Sequence, residues 1–578
     1  MSHNSYGLLY DEFGGTAGIL VYGRGTRVMA NNFINKGTAF TERERFELGL
    51  SGSLPPAVRP LDQQVVDSAR KVADKASDIE KFIYIRALFD RNVTLAHALI
   101  ASDIEKYMRI IYTPTVGLAC RNYSSMFRTA NGLHFHPDNI DQAETILRRY
   151  IHRDIRVAVV TDNQGILGIG DQGAGGIAIC LGKLMLYTQG AGIAPWHCLP
   201  ISLDVGTDNR ELLADDFYLG WQHERLTGTD YVDFVQRFAR AFRKIFPNAL
   251  CQWEDFSKQN AFAIRDAYLH DLISFNDDIQ GTGAIALAGV LTAMRIKGAR
   301  LEEQVFLVHG AGAGGGGIAE QILIGLKEKG LSEREARRRI FTLDRRGLVT
   351  TGRDLEPYKV GFAHDPGELS WFNDEADGEL LNVIRKGGIT VLIGTSGQAG
   401  CFTRQVAEAM LVNSERPVIM PLSNPTAQAE GTPADIHDWT TGRALVAAGS
   451  PFPPVRAGGK EVRVGQGNNV FVFPGVGLGV LAAGAREVLP DFFTAAAHAV
   501  AGSVSAGDLQ KGILFPPVTE LRQVSLKVAR AVGRSAIGRG VSRPCVFCSF
   551  WHENDEARLA RLVDRMRWRP EYPLLFSL

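Results

Sequence analysis

The sequence predicts a multidomain α/β protein with a helical N-terminal region and, further along the chain, a Rossmann-type domain. Residues 1 to about 130 carry apolar side chains at helical spacing. From residue 155 onward, short apolar runs typical of strands alternate with helical segments, which favours parallel sheets covered by helices. Residues 304–329 contain a strand, a glycine run and a helix in succession, the order of a dinucleotide-binding turn.

Size and composition are those of a large soluble protein. The chain has 578 residues, 45% hydrophobic and 22% charged, enough for roughly two to four domains. A formal net charge of zero gives no support to nucleic acid or an anionic membrane as partner, and no apolar run reaches the length of a membrane span. The N-terminus resembles neither a signal nor a transit peptide. Seven scattered cysteines, with Cys545-x-x-Cys548 interpreted as packing, fit reduced thiols and a cytoplasmic location.

The N-terminal region ends in a rigid turn that carries a tyrosine. The predicted helices in this region span residues 43–50, 61–74, 78–90 and 94–108. They lead to Tyr112-Thr113-Pro114, where the proline fixes the backbone and so places the phenol. A tyrosine at such a turn is more often a packing residue with a satisfied hydroxyl than a catalytic one.

The first α/β segment contains a lysine in an apolar helix. A β-rich run at 156–162 leads through the glycine-rich segment 168–176 into a helix at 177–189, an order that can hold a carboxylate or phosphate. Lys183 lies in that helix, where desolvation would lower its pKa towards that of a useful base. A lysine that reaches solvent on its long stem is the common alternative. The run 199–207 is predicted as a further strand that ends in a glycine turn.

Two acidic pairs follow strand-like runs. Glu254-Asp255 ends the run 249–253, and Asp277-Asp278 lies between a strand at 272–275 and a helix that starts at Gly283. Adjacent carboxylates repel each other, so a buried pair needs a cation or a proton. Three such oxygen ligands converging from two turns suit Mg²⁺ or Mn²⁺ rather than zinc. Solvated acidic turns are the ordinary alternative.

The glycine run after residue 309 predicts a dinucleotide site. Strand 304–309 leads into Gly310, Gly312, Ala313 and Gly315, and a helix is predicted at 318–329. The spacing G-x-G-x-x-G, placed between a strand and a helix, lets a diphosphate approach the helix N-terminus closely.

An acid at the end of the next strand bears on which dinucleotide is bound. Asp344 follows the strand 339–343, where it can hold the ribose hydroxyls of NAD. Arg345 and Arg346 keep NADP open, because arginine is the residue that accommodates an additional 2′-phosphate.

Asparagines mark the ends of the remaining predicted strands. Further strands are predicted at 390–394 and 417–422, and Asn424 follows the second of them. Asn468 and Asn469 precede a predicted strand at 470–473. Their side chains can donate to substrate oxygens, and capping of a turn is the commoner alternative.

Together these segments resemble the malic enzyme family over nearly the whole chain. The matching motifs, in order, are N-K-G-T-A-F at 35–40, Y-T-P-T-V-G at 112–117, G-I-G-D-Q-G at 168–173, G-K-L-M-L-Y-T at 182–188, W-E-D-F at 253–256, F-N-D-D-I-Q-G-T at 275–282, L-S-N-P-T-A-Q-A-E at 422–430 and G-Q-G-N-N at 465–469. The resemblance implies NAD-dependent oxidative decarboxylation of L-malate to pyruvate and CO₂ with Mn²⁺ or Mg²⁺.

The resemblance also implies roles for individual residues. Glu254, Asp255 and Asp278 are similar to metal ligands. Lys183 is similar to the general base, supported by Asp277, and Tyr112 to the general acid. Asn424 and Asn468, with Asn469, are similar to substrate contacts.

One loop departs from the family pattern and leaves an alternative open. Many malic enzymes have an arginine in the loop after the strand, where this chain has Gly165 in T-D-N-Q-G-I-L-G at 161–168. The glycine form resembles malolactic enzymes, which convert malate to lactate and CO₂ with bound NAD and Mn²⁺, and also a bacterial subgroup of NAD-dependent malic enzymes. The segment Q-G-A-G-G at 172–176 favours oxidative decarboxylation.

Two other classes are weighed against these. A catalytically silent dinucleotide-binding paralogue would lack Lys183, Tyr112 or a metal carboxylate, and this chain has all of them. A two-domain amino-acid dehydrogenase would not need the three-carboxylate set.

The family resemblance further implies a homo-oligomer, a dimer or tetramer, and Arg91 stands where some relatives bind a dicarboxylate activator.

The predicted domains follow from these motifs. They are a helical region at 1–130, a substrate and metal domain at 131–277 completed by 468–540, an NAD-binding domain at 278–467 and a helical tail at 541–578. We expect the active site in the cleft between the substrate and NAD-binding domains.

Overall fold

Two compact units make up the part of the chain that the structure describes. The computed structural model describes residues 6–12, 14–150, 154–166, 168–457, 460–545, 548–549 and 556–577. One unit comprises residues 1–166, 171–250 and 543–578, and the other comprises residues 167–170 and 251–542. The four sequence-predicted domains stay a prediction, and we call the observed divisions the first and the second unit.

The strands are short, as expected for an α/β chain. They are β1 Tyr6–Tyr10, β2 Thr16–Val21, β3 Leu133–Phe135, β4 Val157–Thr161, β5 Cys198–Leu203, β6 Leu250–Trp253, β7 Ser274–Asn276, β8 Phe306–His309, β9 Ile340–Asp344, β10 Gly347–Leu348, β11 Val391–Gly394, β12 Val418–Pro421, β13 Leu445–Ala448, β14 Val455–Ala457, β15 Lys460–Val462, β16 Gly465–Gln466 and β17 Leu575–Ser577.

Helices occur along the whole chain. They are α1 Thr26–Met29, α2 Glu42–Glu47, α3 Leu61–Ala73, α4 Asp78–Arg91, α5 Val93–Ser102, α6 Ile104–Ile111, α7 Thr115–Arg121, α8 Tyr123–Met126, α9 Ala143–Arg148, α10 Ile177–Leu186, α11 Arg210–Leu213, α12 Gly228–Ile245, α13 Lys258–Tyr268, α14 Thr282–Lys297, α15 Ala313–Glu328, α16 Glu333–Arg337, α17 Pro357–Val360, α18 Leu380–Gly387, α19 Arg404–Asn413, α20 Pro433–Trp439, α21 Phe473–Ala482, α22 Pro490–Ala501, α23 Ala506–Gln510, α24 Leu521–Gly538 and α25 Glu556–Arg565.

The first unit places α10 against parallel strands. β3, β5 and β4 are parallel, with β5 paired to both neighbours, and α10 packs on β4 and β5. α10 also packs on α7, which places the predicted lysine helix beside the turn that follows α6. A separate small sheet joins β1 and β2 in antiparallel fashion and β2 and β17 in parallel fashion.

The second unit contains a seven-stranded sheet of Rossmann type. Its order is β10-β9-β8-β11-β12-β13-β16, and every pairing except β10 with β9 is parallel. The chain leaves β8 towards β9 on one side and reaches β11 on the other, so the strand order reverses at β8 and β11. A crevice at this switch point is where α/β sheets bind ligands. This confirms the Rossmann-type prediction.

A mostly buried helix, α14, follows the acidic turn in the second unit. The apolar segment Asp277–Lys297 is long enough to cross a membrane, but 78% of its most apolar window is buried inside the protein, as in a core helix. Gly283 of α14 and Gly317 of α15 allow backbone contact between the two helices, because an added Cβ on Gly317 would overlap the carbonyl oxygen of Ile279. Close packing, rather than helix propensity, explains glycine in these helices.

The structure confirms most predicted elements and corrects four. The run 470–473 is not a strand, because Asn469–Phe471 forms a 3₁₀ turn and the buried helix α21 begins at Phe473 with Pro474 in its first turn. The predicted helix at 318–329 begins earlier, at Ala313, since the glycine run itself forms its first turn. The predicted helix 94–108 is divided into α5 and α6, where the Asp103 side chain caps the second helix. β1 and β2 were not predicted in the helical region.

We expect Gly317→Ala to lower the melting temperature of the protein. The added methyl group would overlap the Ile279 carbonyl oxygen, a backbone atom that cannot move away alone. Overpacking of this kind costs roughly 1–3 kcal/mol. Gly538→Ala is the control, because an added Cβ meets nothing within 4 Å at the end of α24. Thermal unfolding measures both, and equal melting temperatures would contradict the close-packing argument.

Candidate active site

Three predicted metal ligands converge in the second unit. Glu254 and Asp255 follow β6, and Asp278 lies in the π-helical turn Asp277–Gly281 before α14. One oxygen from each carboxylate lies within 4.8 Å of the others. Asp255 adopts a positive φ of 56°, and its N–H donates to Asp278 Oδ2 at 2.8 Å. The backbone of one turn therefore fixes the carboxylate of the other.

The donor set fits a divalent cation. Glu254 and Asp255 are 1% and 3% exposed, so solvent does little to screen the repulsion between them. Gln252 Nε2 donates to Glu254 Oε2 at 2.7 Å and so fixes this carboxylate. Carboxylate oxygens in such a group are the ligands that Mg²⁺ and Mn²⁺ prefer. The structure thus brings together the three residues that the sequence predicts as ligands.

Asp277, in the same turn as Asp278, is held by an asparagine. Asn469 Nδ2 donates to Asp277 O at 3.2 Å, to Asp277 Oδ2 at 3.1 Å and to Thr282 Oγ1 at 3.0 Å. Gly281 allows this arrangement, because an added Cβ there would overlap Asp277 Oδ1. Asn469, predicted as a substrate contact, therefore has an observed part in fixing a buried carboxylate.

The other two predicted asparagines lie at turns of the second unit. Asn424 is exposed after β12, and Ser450 Oγ donates to its Oδ1 at 2.5 Å. Asn468 Oδ1 accepts the N–H of Val470 at 3.0 Å, the turn-capping alternative. Each amide nitrogen can still donate to a ligand, so their role as substrate contacts stays a prediction.

The glycine loop after β8 has the geometry of a diphosphate cradle. Gly310 has φ of 114°, and a Cβ there would lie 2.5 Å from the carbonyl carbon of Thr395 after β11. A Cβ on Gly315 would overlap Gly310 O, so the loop can only close with glycine. Helix α15 starts at Ala313 and directs its first N–H groups at the loop, which favours an anion.

An exposed lysine beside this loop was not predicted. Lys258, the first residue of α13, places its Cε 3.3 Å from the position of a Cβ on Gly312. A cation here adds to the positive end of α15. Since Lys258 is 54 residues before Gly312 in the chain, no local pattern could have indicated it.

Asp344 ends β9 as predicted but has cationic partners. Arg353 donates to both carboxylate oxygens at 2.7 and 2.6 Å, and Lys359 Nζ donates at 3.1 Å. Burial opposes ionisation of Asp344, but these bonds and the N–H of Arg346 outweigh it and lower its pKa to about 2. The carboxylate is therefore ionised and fixed in place. Its binding of ribose hydroxyls stays a prediction, and Arg353 and Lys359 were missed by the sequence analysis.

The predicted base and acid lie together in the first unit. Lys183 is only 2% exposed, and its Nζ lies 5.5 Å from the ring centroid of Tyr112. Gly182 makes the approach possible, because a Cβ there would lie 3.0 Å from Ile111 O and 3.1 Å from Tyr112 Cδ2. The snorkelling alternative for Lys183 is wrong, since the whole side chain is buried.

A buried arginine from elsewhere holds the loop that lacks the family arginine. Arg225 Nη2 lies 3.3 Å from Asp162 Oδ2, and its Nη1 lies 3.2 Å from Asp171 Oδ2. It also donates to Asp162 O at 2.8 Å and Gly206 O at 3.1 Å. These bonds use both terminal nitrogens of the guanidinium, Nη1 and Nη2, so Arg225 stabilises the turn after β4. Gly165 itself adds no charge to the loop.

Family models cover most of the chain. The model for the malic enzyme N-terminal domain matches residues 89–269, and the model for the malic enzyme NAD-binding domain matches residues 279–537. The chain belongs to the malic enzyme family. The interval between the two matches, residues 270–278, includes Asp277 and Asp278.

Relatives in the malic enzyme family match along nearly their full length. A protein named NAD-dependent malic enzyme from Pseudomonas savastanoi pv. phaseolicola is 42% identical over 551 residues, covering 95% of this chain and 96% of that protein. Another with that name from Shewanella frigidimarina is 40% identical over 550 residues, with the same coverage.

Solved structures of the malic enzyme family share the fold. The Entamoeba histolytica malic enzyme aligns with a TM-score of 0.54 at 21% identity, covering 89% of this chain and 92% of that chain. The malic enzyme from Pyrococcus horikoshii Ot3 gives a TM-score of 0.52 at 23% identity, covering 80% of this chain and 92% of that chain.

We expect Asp278→Asn to weaken Mn²⁺ binding at least about tenfold, because it removes one of three ligand charges. The amide oxygen can still accept the N–H of Asp255, so the turn should persist. Electron paramagnetic resonance of free Mn²⁺ measures the binding without turnover. Glu408→Gln, on the exposed face of α19, should bind Mn²⁺ like wild type. Unchanged Mn²⁺ affinity in Asp278→Asn would remove this residue from the ligand set.

Proposed function

We propose that the protein catalyses the oxidative decarboxylation of L-malate to pyruvate and CO₂ with reduction of NAD⁺, and that it needs Mn²⁺ or Mg²⁺. The observation that carries the proposal is the group of three carboxylates, the buried Glu254 and Asp255 and the partly buried Asp278, in the same unit as the glycine loop of a Rossmann sheet. Proteins named NAD-dependent malic enzyme that are 40–42% identical support the same reaction.

In this proposal the divalent cation and NAD⁺ supply different parts of the chemistry. When bound, the divalent cation polarises the 2-hydroxyl of malate and NAD⁺ accepts the hydride from carbon 2. The residues for them are the three carboxylates and, for the dinucleotide, Gly310, Gly312, Ala313 and Gly315 with the N-terminus of α15. Asp344 is proposed to accept ribose hydroxyls.

Lys183 and Tyr112 move the protons in this proposal. Lys183 Nζ takes the proton of the 2-hydroxyl as the hydride leaves carbon 2. After loss of CO₂, the Tyr112 hydroxyl delivers a proton to carbon 3 of the enol and so gives pyruvate. The contact between Lys183 Nζ and the Tyr112 ring supports their acting as a pair. Asp277, fixed by Asn469, is proposed to support the base.

Further substrate contacts and the setting of the enzyme complete the proposal. Asn424 and Asn468 are proposed to donate their side-chain amides to the carboxylates of malate. We infer a homo-oligomer, a dimer or tetramer, and a cytoplasmic location.

A second candidate function is malolactic activity, and Gly165 favours it. The loop after β4 carries glycine where many malic enzymes have an arginine, and this glycine form resembles malolactic enzymes. Retention of pyruvate and its reduction by the NADH just formed would give lactate. The named relatives favour pyruvate as the product.

An assay with L-malate, NAD⁺ and Mn²⁺ decides between these functions. We expect NADH and pyruvate in equal amounts, measured by absorbance and by separation of the organic acids. Lactate without NADH would establish the malolactic alternative. If neither product forms while NAD⁺ still binds, the chain is a silent paralogue.

We expect Lys183→Ala to lower kcat by about 10²–10⁴-fold, the range for loss of a general base. Binding of NAD⁺, measured by calorimetry, should be unchanged, because the glycine loop belongs to the second unit. Added small primary amines should restore part of the activity, which a merely structural lysine would not permit. Lys244→Ala, an exposed lysine on α12, is the control. Full activity of Lys183→Ala would refute the assignment of the base.

A further inference from the structure

A buried glutamate accepts hydrogen bonds from the ends of two neighbouring strands. Glu430 is 0% exposed. Its Oε1 accepts the N–H of Ser396 at 2.7 Å, the hydroxyl of Ser396 at 2.9 Å and the hydroxyl of Ser423 at 2.6 Å. The N–H of Ser423 donates to Oε2 at 3.4 Å. Since Ser396 follows β11 and Ser423 follows β12, one carboxylate joins the loops that leave two adjacent strands.

The end of the parallel pairing explains why these loops need an acceptor. β11 and β12 pair as far as Gly394 and Pro421, and Leu422 N donates to Gly394 O at 2.8 Å. Beyond this point the two loops separate, so their N–H groups lose the partners that a sheet provides. A buried N–H without an acceptor is costly. Glu430 supplies acceptor oxygens to the N–H groups of both loops.

The backbone of Glu430 is itself held in place. Phe402 N donates to Glu430 O at 2.8 Å, and Gly400 N donates to Ala429 O at 3.1 Å. The side chain packs against Gly394, where an added Cβ would lie 2.6 Å from Glu430 Cδ. The carboxylate therefore holds the two loops from a fixed point.

One of the two loops supports the glycine loop after β8. A Cβ on Gly310 would lie 2.5 Å from Thr395 C and 2.6 Å from Ser396 N, so the peptide group between Thr395 and Ser396 packs directly on Gly310. Thr395 Oγ1 also donates to Gly310 O at 3.0 Å. Because the N–H of that same peptide group donates to Glu430, the position of the glycine loop depends on this carboxylate.

The other loop carries Asn424, a proposed substrate contact. Ser423 Oγ donates to Glu430 and accepts the N–H of Gly397 at 2.9 Å. Ser423 directly precedes Asn424, so these two bonds fix the backbone from which the Asn424 side chain extends. Ser450 Oγ then donates to Asn424 Oδ1. The direction of the Asn424 amide is thus set by Glu430 through Ser423.

We propose that Glu430 is a positioning residue that fixes the glycine loop and Asn424 relative to each other. It thereby aligns NAD⁺ and malate for hydride transfer, a step in which a misplacement of about 1 Å can cost about 10²-fold in rate. The part that concerns malate rests on the proposed function. The effect of Glu430 on NAD⁺ binding does not.

Calorimetry of NAD⁺ binding to the full chain, without malate, tests the part that concerns the glycine loop. We expect Glu430→Ala to weaken NAD⁺ binding at least about tenfold, because the peptide group that packs on Gly310 loses its acceptor. Glu430→Gln keeps an oxygen at the position of Oε1 and should bind NAD⁺ within about threefold of wild type. Glu408→Ala, on the exposed face of α19, is the control and should bind like wild type.

Calorimetry of L-malate binding with Mn²⁺ and NADH present tests the part that concerns Asn424. NADH cannot accept a hydride, so binding is measured without turnover. Ser423→Ala removes the hydroxyl that joins Glu430 to Gly397 and should weaken malate binding at least about threefold. In an Asn424→Ala background the same change should cause no further loss, because its effect acts through Asn424.

Several results would overturn the proposal. Unchanged NAD⁺ affinity in folded Glu430→Ala would do so, as would an equal loss in Glu430→Gln, which retains the acceptor oxygen. Undiminished loss from Ser423→Ala in the Asn424→Ala background would refute the path to malate. Thermal unfolding checks that each variant is folded. If Glu430→Ala does not fold, Glu430→Asp takes its place with the same expectation, because its shorter side chain withdraws the acceptor.

The two proposals fail separately. If wild type binds NAD⁺ but does not turn over malate, the proposed function fails, and the NAD⁺ affinities of the Glu430 variants still decide whether this residue positions the glycine loop. If wild type turns over malate and Glu430→Ala binds NAD⁺ like wild type, only the role of Glu430 is refuted.

Discussion

Mutual repulsion among three adjacent carboxylates, two of them buried and one partly buried, is the constraint on which the second unit depends. Glu254, Asp255 and Asp278 hold oxygens within a few ångströms of one another, in surroundings that screen charge poorly. Such a group is stable only if the backbone holds the carboxylates close together and a cation neutralises their negative charge. The positive φ of Asp255 and its N–H bond to Asp278 supply the force.

Contacts at glycine residues connect the turn Asp277–Gly281 to the helix that starts at the glycine loop after β8. Gly281 lets Asp277 fold back onto its own turn, and Gly317 lets α15 touch the backbone of Ile279. Helix α15 starts at the glycine loop, so one element packs on the acidic turn and presents N–H groups to the proposed diphosphate. The same backbone contacts therefore set the positions of the carboxylate turn and the glycine loop, the proposed sites of the metal and the dinucleotide.

Local patterns predicted the strands, the glycine loop and the residues of the carboxylate group, because each lies where a strand ends and a helix starts. Contacts between distant segments were not accessible in this way. Arg225 reaches Asp162 across 63 residues, and Asn469 reaches Asp277 across 192. The error at 470–473 has a different cause: a fully buried helix and a buried strand are both continuous apolar runs, and only Pro474 distinguished them.

The pairing of β17 with β2 bears on how the protein is made. Leu575, Phe576 and Ser577 complete the sheet that starts near the N-terminus, and Trp568 packs on Trp196 in the same unit. A ribosome adds about 5–20 residues per second, so β2 waits roughly half a minute to two minutes for its partner. During that interval the strand edge and the tryptophan face are uncovered. The second unit, which is continuous from residue 251 to 542, can meanwhile fold. The second unit can therefore fold during synthesis before the first unit is complete. During that interval the first unit needs protection from aggregation.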